Sequence, residues 1–180
     1  MRAINRLVEP TSGEVYLDGE ATGSLDPLEL RRRVGMVFQI PALFGDSVEE
    51  ALLYGARLAG RSAHAGKLLE LVGLDASMAG RTPETLSLGQ QRVSVARTLA
   101  LEPEALLLDE AARRKIEDLV RDLNAHLGLT MVFVSHDLSQ VGRVADRVVL
   151  LAEGKILVGT LSYCSFFTSS HQIRQGVSGE

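Results

Sequence analysis

Apolar positions along the chain recur at helical spacing in some stretches. In others they alternate or form short unbroken runs. Ile4, Leu7 and Val8 fall at helical spacing, so residues 1–8 read as the end of a helix. Glu9 to Gly13 (EPTSG) is a turn, and in GEVYLDGE the inward Val15 and Leu17 mark a strand closed by Asp18-Gly19. Arg31–Arg33 precede a short apolar strand, VGMVF (34–38). Ser47 and Glu50 form a capping box that opens a helix, and helical stretches cover roughly 48–73. A further helix follows Gly89 and stops before Pro103. Ala105–Leu108 is an apolar run of the kind buried on both faces of a parallel sheet. Ile116, Leu119, Val120, Leu123 and Leu127 form an amphipathic helical stripe. TMVFVS (130–135) is the next strand, Asp137 to Gln140 (DLSQ) caps another helix, and RVVLLAEGKILVG reads as strand, turn, strand. The tail from Leu161 is undecided, with a short helix near Phe166.

From 104 to 152 the order is strand, helix, strand, helix, strand, which predicts a parallel sheet covered by helices. Such sheets bind ligands outside the carboxyl ends of their strands. Asp109-Glu110 and Ser135-His136-Asp137 both follow strand ends, so they are the first candidates for chemistry.

The 180 residues suffice for one domain with its own core, and 46% apolar with 23% charged residues excludes disorder and coiled coil. A net charge of −4 without a basic stripe argues against a nucleic-acid partner. Cys164 is the single cysteine, which excludes an intramolecular disulfide and a cysteine metal cluster and fits a reducing cytosolic setting. No apolar run approaches the ~20 residues of a membrane span. The charged start, MRAINRLVEP, lacks a signal peptide's apolar core.

Each motif has a plain reading beside a chemical one. Asp109 is either a helix cap or a Mg²⁺ holder, with Glu110 polarising water for attack on a γ-phosphate. His136 is either a hydrogen-bonded structural histidine or part of a site, and Asp137 a plain N-cap. Gln39, just after a strand, reads by itself as a loop residue. In LSLGQQRVSVARTLA (86–100), Ser87 and Gly89 precede a helix, where amides and the helix dipole favour an anion; an ordinary serine cap and a turn glycine are the alternative.

Taken in order, VFQIPALF, LSLGQQRV, LLLDE and VFVSHD resemble the ATP-binding cassette (ABC) ATPase family, over nearly the whole chain from MRAINRL to SGE. The resemblance implies an α/β, P-loop NTPase-like fold: a mostly parallel sheet with helices and a helical subdomain at roughly 47–101, the whole of 1–180 being one partial ABC ATPase domain. It implies ATP and Mg²⁺ as cofactors. Gln39 would contact Mg²⁺ and the attacking water, and Asp109 would hold Mg²⁺. Glu110 would act as the catalytic base, and His136 would sense the γ-phosphate. Leu86-Ser87-Leu88-Gly89-Gln90 would match the family's LSGGQ signature, with Ser87, Gly89 and Gln90 touching ATP on the opposite subunit of a dimer. IPALFGDSVEEAL would meet a transmembrane permease, and the protein would lie on the cytoplasmic face of the plasma or inner membrane. The start, FQIPALFGDSVEEALLYG and the SGE ending look closest to a branch holding phosphate-importer ATPases and plant aluminium-tolerance ATPases linked to nucleotide-sugar export.

Three departures qualify the resemblance. The phosphate-binding loop G-x-x-x-x-G-K-[ST] is absent. GRSAHAGKL (60–68) has a spacer one residue too long, Leu68 in place of a hydroxyl, and a helical setting, while Gly154-Lys155 sits in a hairpin turn. The chain is therefore expected to begin just downstream of its own phosphate loop, lacking the preceding strands and the adenine-stacking aromatic. Such a sheet would carry an open apolar edge. Next, Glu110 runs directly into AARRKIEDL, without the family's proline and S-A-L-D-P-type loop; Ser24-Leu25-Asp26-Pro27 looks like that loop but reads as a turn and N-cap. Last, the signature is one residue short before Arg92, and Leu88 replaces its first glycine. The expectation is an ABC transporter ATPase, with phosphate or another small anion as substrate, that turns over little ATP by itself. The alternative is a non-catalytic cassette pairing with an intact ATPase subunit or a permease. An ABC-type ATPase of DNA repair or translation is disfavoured by the acidic charge and the lack of coiled-coil insertions or tandem cassettes.

Overall fold

The computed structural model describes residues 1–40, 42–86, 89–109, 116–135 and 137–162. In chain order its elements are β1 (Tyr16–Leu17), β2 (Glu20–Ala21), α1 (Pro27–Arg33), β3 (Val34–Val37), α2 (Val48–Leu58), α3 (Ala65–Leu71), α4 (Gln90–Leu99), β4 (Ala105–Leu108), α5 (Glu117–Leu127), β5 (Thr130–Phe133), α6 (Leu138–Val144), β6 (Arg147–Ala152) and β7 (Lys155–Ser162). The described residues fall into two compact units, one up to residue 134 and one from residue 135 on.

In the first unit, all four side chains of β4 are buried. A strand that apolar needs cover on both faces, and a parallel sheet with a layer on each side supplies it. β4 is the middle of a three-stranded parallel sheet, ordered β3-β4-β5. The two-residue period of the strand then divides the core. Leu106 and Leu108 pack with Val37, with Val93, Val95 and Ala96 of α4, and with Leu119 and Leu123 of α5. Ala105 and Leu107 join Leu30 of α1, Val34 and the flanking Ile4 and Leu17.

Local chemistry sets the helix starts. Asp26 accepts from the Leu28 and Glu29 amides, and Pro27 opens α1, so Ser24–Pro27 is the turn and cap the sequence suggests. The Ser47 hydroxyl accepts from the Glu50 amide. The Glu50 carboxylate returns to the Asp46 amide, one residue before the cap, so the capping box is offset. Gly66 and Lys67 lie inside α3, which removes GRSAHAGKL as a phosphate loop.

Three expectations are corrected. Residues 1–8 form turns, not a helix. The Leu7 and Val8 amides both reach the Arg2 carbonyl, Arg6 has φ +54, and Arg31 takes the Asn5 and Arg6 carbonyls. Leu127 ends the α5 stripe 45% exposed, because Gly128 turns left-handed and stops the helix there. The strand at 147–152 does not extend the parallel sheet. In the second unit, among the described residues, β6 pairs antiparallel with β7 alone. Glu153 and Gly154 both have positive φ, the tight turn whose twist suits a hairpin, so the sequence neighbour takes the ladder. In the same unit Asp137 accepts from the Ser139 amide at the start of α6, the plain cap foreseen. The expected helix near Phe166 lies outside the described residues.

Candidate functional site

Val37 of β3 pairs with Leu108 of β4, and Leu108 with Phe133 of β5, so three parallel strands end in register. The amide of Asp109 donates to the Val37 carbonyl at 3.0 Å, and that of Val134 to the Leu108 carbonyl at 3.3 Å. Asp109 is thus fixed at the carboxyl end of the middle strand, beside the point where Phe38 and Gln39 leave β3. Its carboxylate is about one quarter exposed and pairs with the Arg2 guanidinium at 3.6 Å. A partly open carboxylate that already holds a side-chain cation, with an exposed amide side chain on the adjoining strand end, is a donor set that suits Mg²⁺. Sequence patterns gave Asp109 and Gln39 but not Arg2, whose approach is set by the turn at the chain start.

Gly89 and Gln90 sit where α4 begins. Both amides donate to the Leu86 carbonyl at 3.0 Å, so an anion there would have to displace a made bond. The Gln90 side chain donates to the Pro83 carbonyl. Gly89 is buried and has ordinary helical φ and ψ; a Cβ there would make ordinary contact with Leu86 and Leu74. Neither backbone conformation nor local packing therefore demands a glycine at this place. Ser87, Glu110 and His136 lie outside the described residues, as do Leu88 and the segment directly after Glu110.

Two residues that the motif reading passed over hold the Gln39 segment. Gln91 Nε2 donates to the Phe38 carbonyl at 3.2 Å, and Arg97 donates to the Ala42 carbonyl at 2.5 Å. Burial pushes the Arg97 guanidinium down from its ordinary value.

A sequence profile described as ABC transporter matches residues 1–113. Arabidopsis thaliana ABC transporter I family member 17 is 46% identical over 168 residues, covering 87% of this chain and 64% of that protein. The methionine import ATP-binding protein MetN of Caulobacter vibrioides is 42% identical over 174 residues, covering 87% of this chain and 52% of its own length. The chain therefore spans about half the length of the curated relatives it matches, from 43% to 64%. Among solved structures, cbiO1 of Clostridium perfringens, part of the ABC transporter complex cbiONQ, superposes with a TM-score of 0.81 at 25% identity, over 97% of this chain and 75% of that one. The dimeric bacterial ABC transporter cassette MJ0796 gives 0.71 at 32% identity, over 90% of this chain and 78% of that one.

Proposed function

Because this chain belongs to the ABC transporter family, we propose that it is the ATP-binding part of a transporter ATPase subunit, with residues 1–180 reading as one partial cassette domain. The observation that carries this reading is the Asp109 amide bound to the Val37 carbonyl. That bond brings the acid of LLLDE beside the glutamine of VFQIPALF, two motifs some seventy residues apart in the chain.

In this role Asp109 and Gln39 hold Mg²⁺, and Glu110 takes the proton of the attacking water. Mg²⁺, when bound with ATP, neutralises charge developing on the phosphates. Until then Arg2 balances the Asp109 charge. Ser87, Gly89 and Gln90 contact ATP on a second cassette, and His136 reads its γ-phosphate. The exposed Ile40 and Phe44 face a transmembrane permease. Among the described residues no helix is long and apolar enough to cross a membrane, and the reading places the chain peripherally on the cytoplasmic face. Pairing with a second cassette finds support in the dimeric relative. Phosphate as substrate finds none, since a methionine importer's ATPase matches almost as well as the plant relative. Substrate choice rests with the permease.

These 180 residues contain no G-x-x-x-x-G-K-[ST]. ATP takes most of its phosphate contacts from that loop, so this chain by itself is expected to bind Mg²⁺ and ATP weakly and turn over little. Equilibrium dialysis with a fluorescent ATP analogue tests the reading. Binding should need Mg²⁺ and fall about tenfold in Asp109→Asn, the size of one charge-assisted contact. Binding indifferent to both would contradict it. A phosphate-release assay showing Mg²⁺-dependent turnover, abolished by Glu110→Gln, would overturn the expected inactivity.

A further inference from the structure

Between Phe38 and Phe44 only Leu43, among the described residues, is partly buried against the core. Phe38 is 40% exposed, Ile40 80% and Phe44 64%, and Gln39 is exposed as well. A backbone whose side chains face water needs its position fixed in another way, or it samples many conformations. The bonds from α4 supply this. The Phe38 carbonyl lies one residue before Gln39 and the Ala42 carbonyl three after it, so Gln91 and Arg97 bracket the glutamine.

The helix that makes these bonds is itself held firmly. Val93, Ser94, Val95, Ala96 and Leu99 are buried, and Thr98 presses so closely on β3 that a Cβ at Gly35 would lie 2.3 Å from its Cγ2. Arg97 is the costlier of the two holders. Its side chain is partly buried, and among the described residues no carboxylate pairs with it. A partly buried cation on a backbone carbonyl is a strong way to fix a loop, because charge-assisted bonds are about twice as strong as neutral ones.

We propose that Gln91 and Arg97 are positioning residues that hold the Gln39 segment rigidly to α4. Their grip sets where the Gln39 amide stands relative to Asp109. It also makes the signature turn at Gly89-Gln90 and the Gln39 segment one mechanical piece, because α4 starts at the first and grips the second. The inference rests on the assignment of Gln39 and Asp109 to Mg²⁺, and the experiment separates the two.

Amide hydrogen exchange is followed in peptides covering 36–46 and, as an internal control, 104–109. The proteins are wild type, Gln91→Ala, Arg97→Met and Arg97→Lys. Loss of the charged bond should speed exchange across 38–44 about tenfold in Arg97→Met, and less in Gln91→Ala, with the β4 peptide unchanged. Lysine, which keeps the charge and a donor, should restore most of the protection. Unchanged exchange in 38–44, or equal acceleration in β4, would overturn the proposal, the second because it marks general loosening. Mn²⁺ affinity, read from the free-ion EPR signal in the presence of ATP, is the second arm. Arg97→Met and Gln39→Ala should each weaken it several-fold, and together no more than either alone. Loss in Gln39→Ala but not in Arg97→Met would overturn the positioning role while leaving the Mg²⁺ assignment standing. Loosened exchange with Mn²⁺ affinity indifferent to Gln39 would sustain the brace and sink the Mg²⁺ assignment.

Discussion

Asp109 is the residue on which most of the proposed chemistry turns, and its environment makes a quantitative demand. The Arg2 guanidinium that faces it is 60% exposed, so the pair is screened and weak. Arg2→Ala should therefore raise Mn²⁺ affinity modestly, about twofold, an effect that shrinks as salt is added. A fall in affinity would mean that Arg2 serves the bound ion rather than competing with it. A second acid behaves differently. Glu104 accepts two bonds from Arg33, at 2.8 and 3.0 Å, and these hold its carboxyl below the usual glutamate value; the Arg33 charge acts in the same direction. A depressed folded value stabilises the fold at any pH above the ordinary glutamate range, and that contribution disappears as pH falls through the depressed value. Glu104→Gln should therefore lower the urea midpoint slightly near neutrality and not in strong acid, and a gap independent of pH would count against the pair. Single-residue chemistry of this kind was partly legible. Asp26 and Asp137 read as caps because a cap needs only its neighbours. Arg2, Gln91 and Arg97 did not show, because each meets a backbone or carboxylate brought near by the fold.

At the scale of elements, the sheet and α4 must be considered together. Gly35 lies in β3 where an added methyl would collide with Thr98 Cγ2. Gly35→Ala should cost about 1–3 kcal/mol by overpacking, and Gly35→Ala/Thr98→Ser should recover much of it, since serine drops Cγ2 and keeps the hydroxyl that bonds the Ser94 carbonyl. A double variant no better than the single one would place the strain elsewhere. β5 has a partner on one side only among the described residues, and Val132 and Val134 are 38% and 46% exposed. An edge of that kind invites pairing between chains, so Val132→Lys should slow concentration-dependent aggregation measured by light scattering. The elements most legible in the sequence were those with strong periodicity or an unbroken apolar run, β4 and α5 above all. The failures have physical causes. Residues 1–8 carry helical spacing, but Arg31 claims the Asn5 and Arg6 carbonyls. β6 looked like the next parallel strand because spacing cannot tell a crossover partner from a hairpin partner.

Over the whole molecule, the order of motifs mattered more than any one of them. The profile match over residues 1–113 takes in both Gln39 and Asp109, and the superposition on cbiO1 extends over nearly the whole chain. These residues contain neither the phosphate-binding loop nor, after Glu110, the S-A-L-D-P-type loop. In the proposed function Asp109 and Gln39 hold a cation at the ends of β4 and β3, while the sequence contains no G-x-x-x-x-G-K-[ST] to cradle the phosphates. The measurement that tests this most directly is a titration of ¹⁵N-labelled protein with Mn²⁺, following which amide resonances broaden first. The account predicts that the first signals lost are those of Asp109 and of the residues around Gln39, and that Asp109→Asn removes this selectivity. Broadening spread evenly over the surface carboxylates, or unchanged in Asp109→Asn, would contradict it.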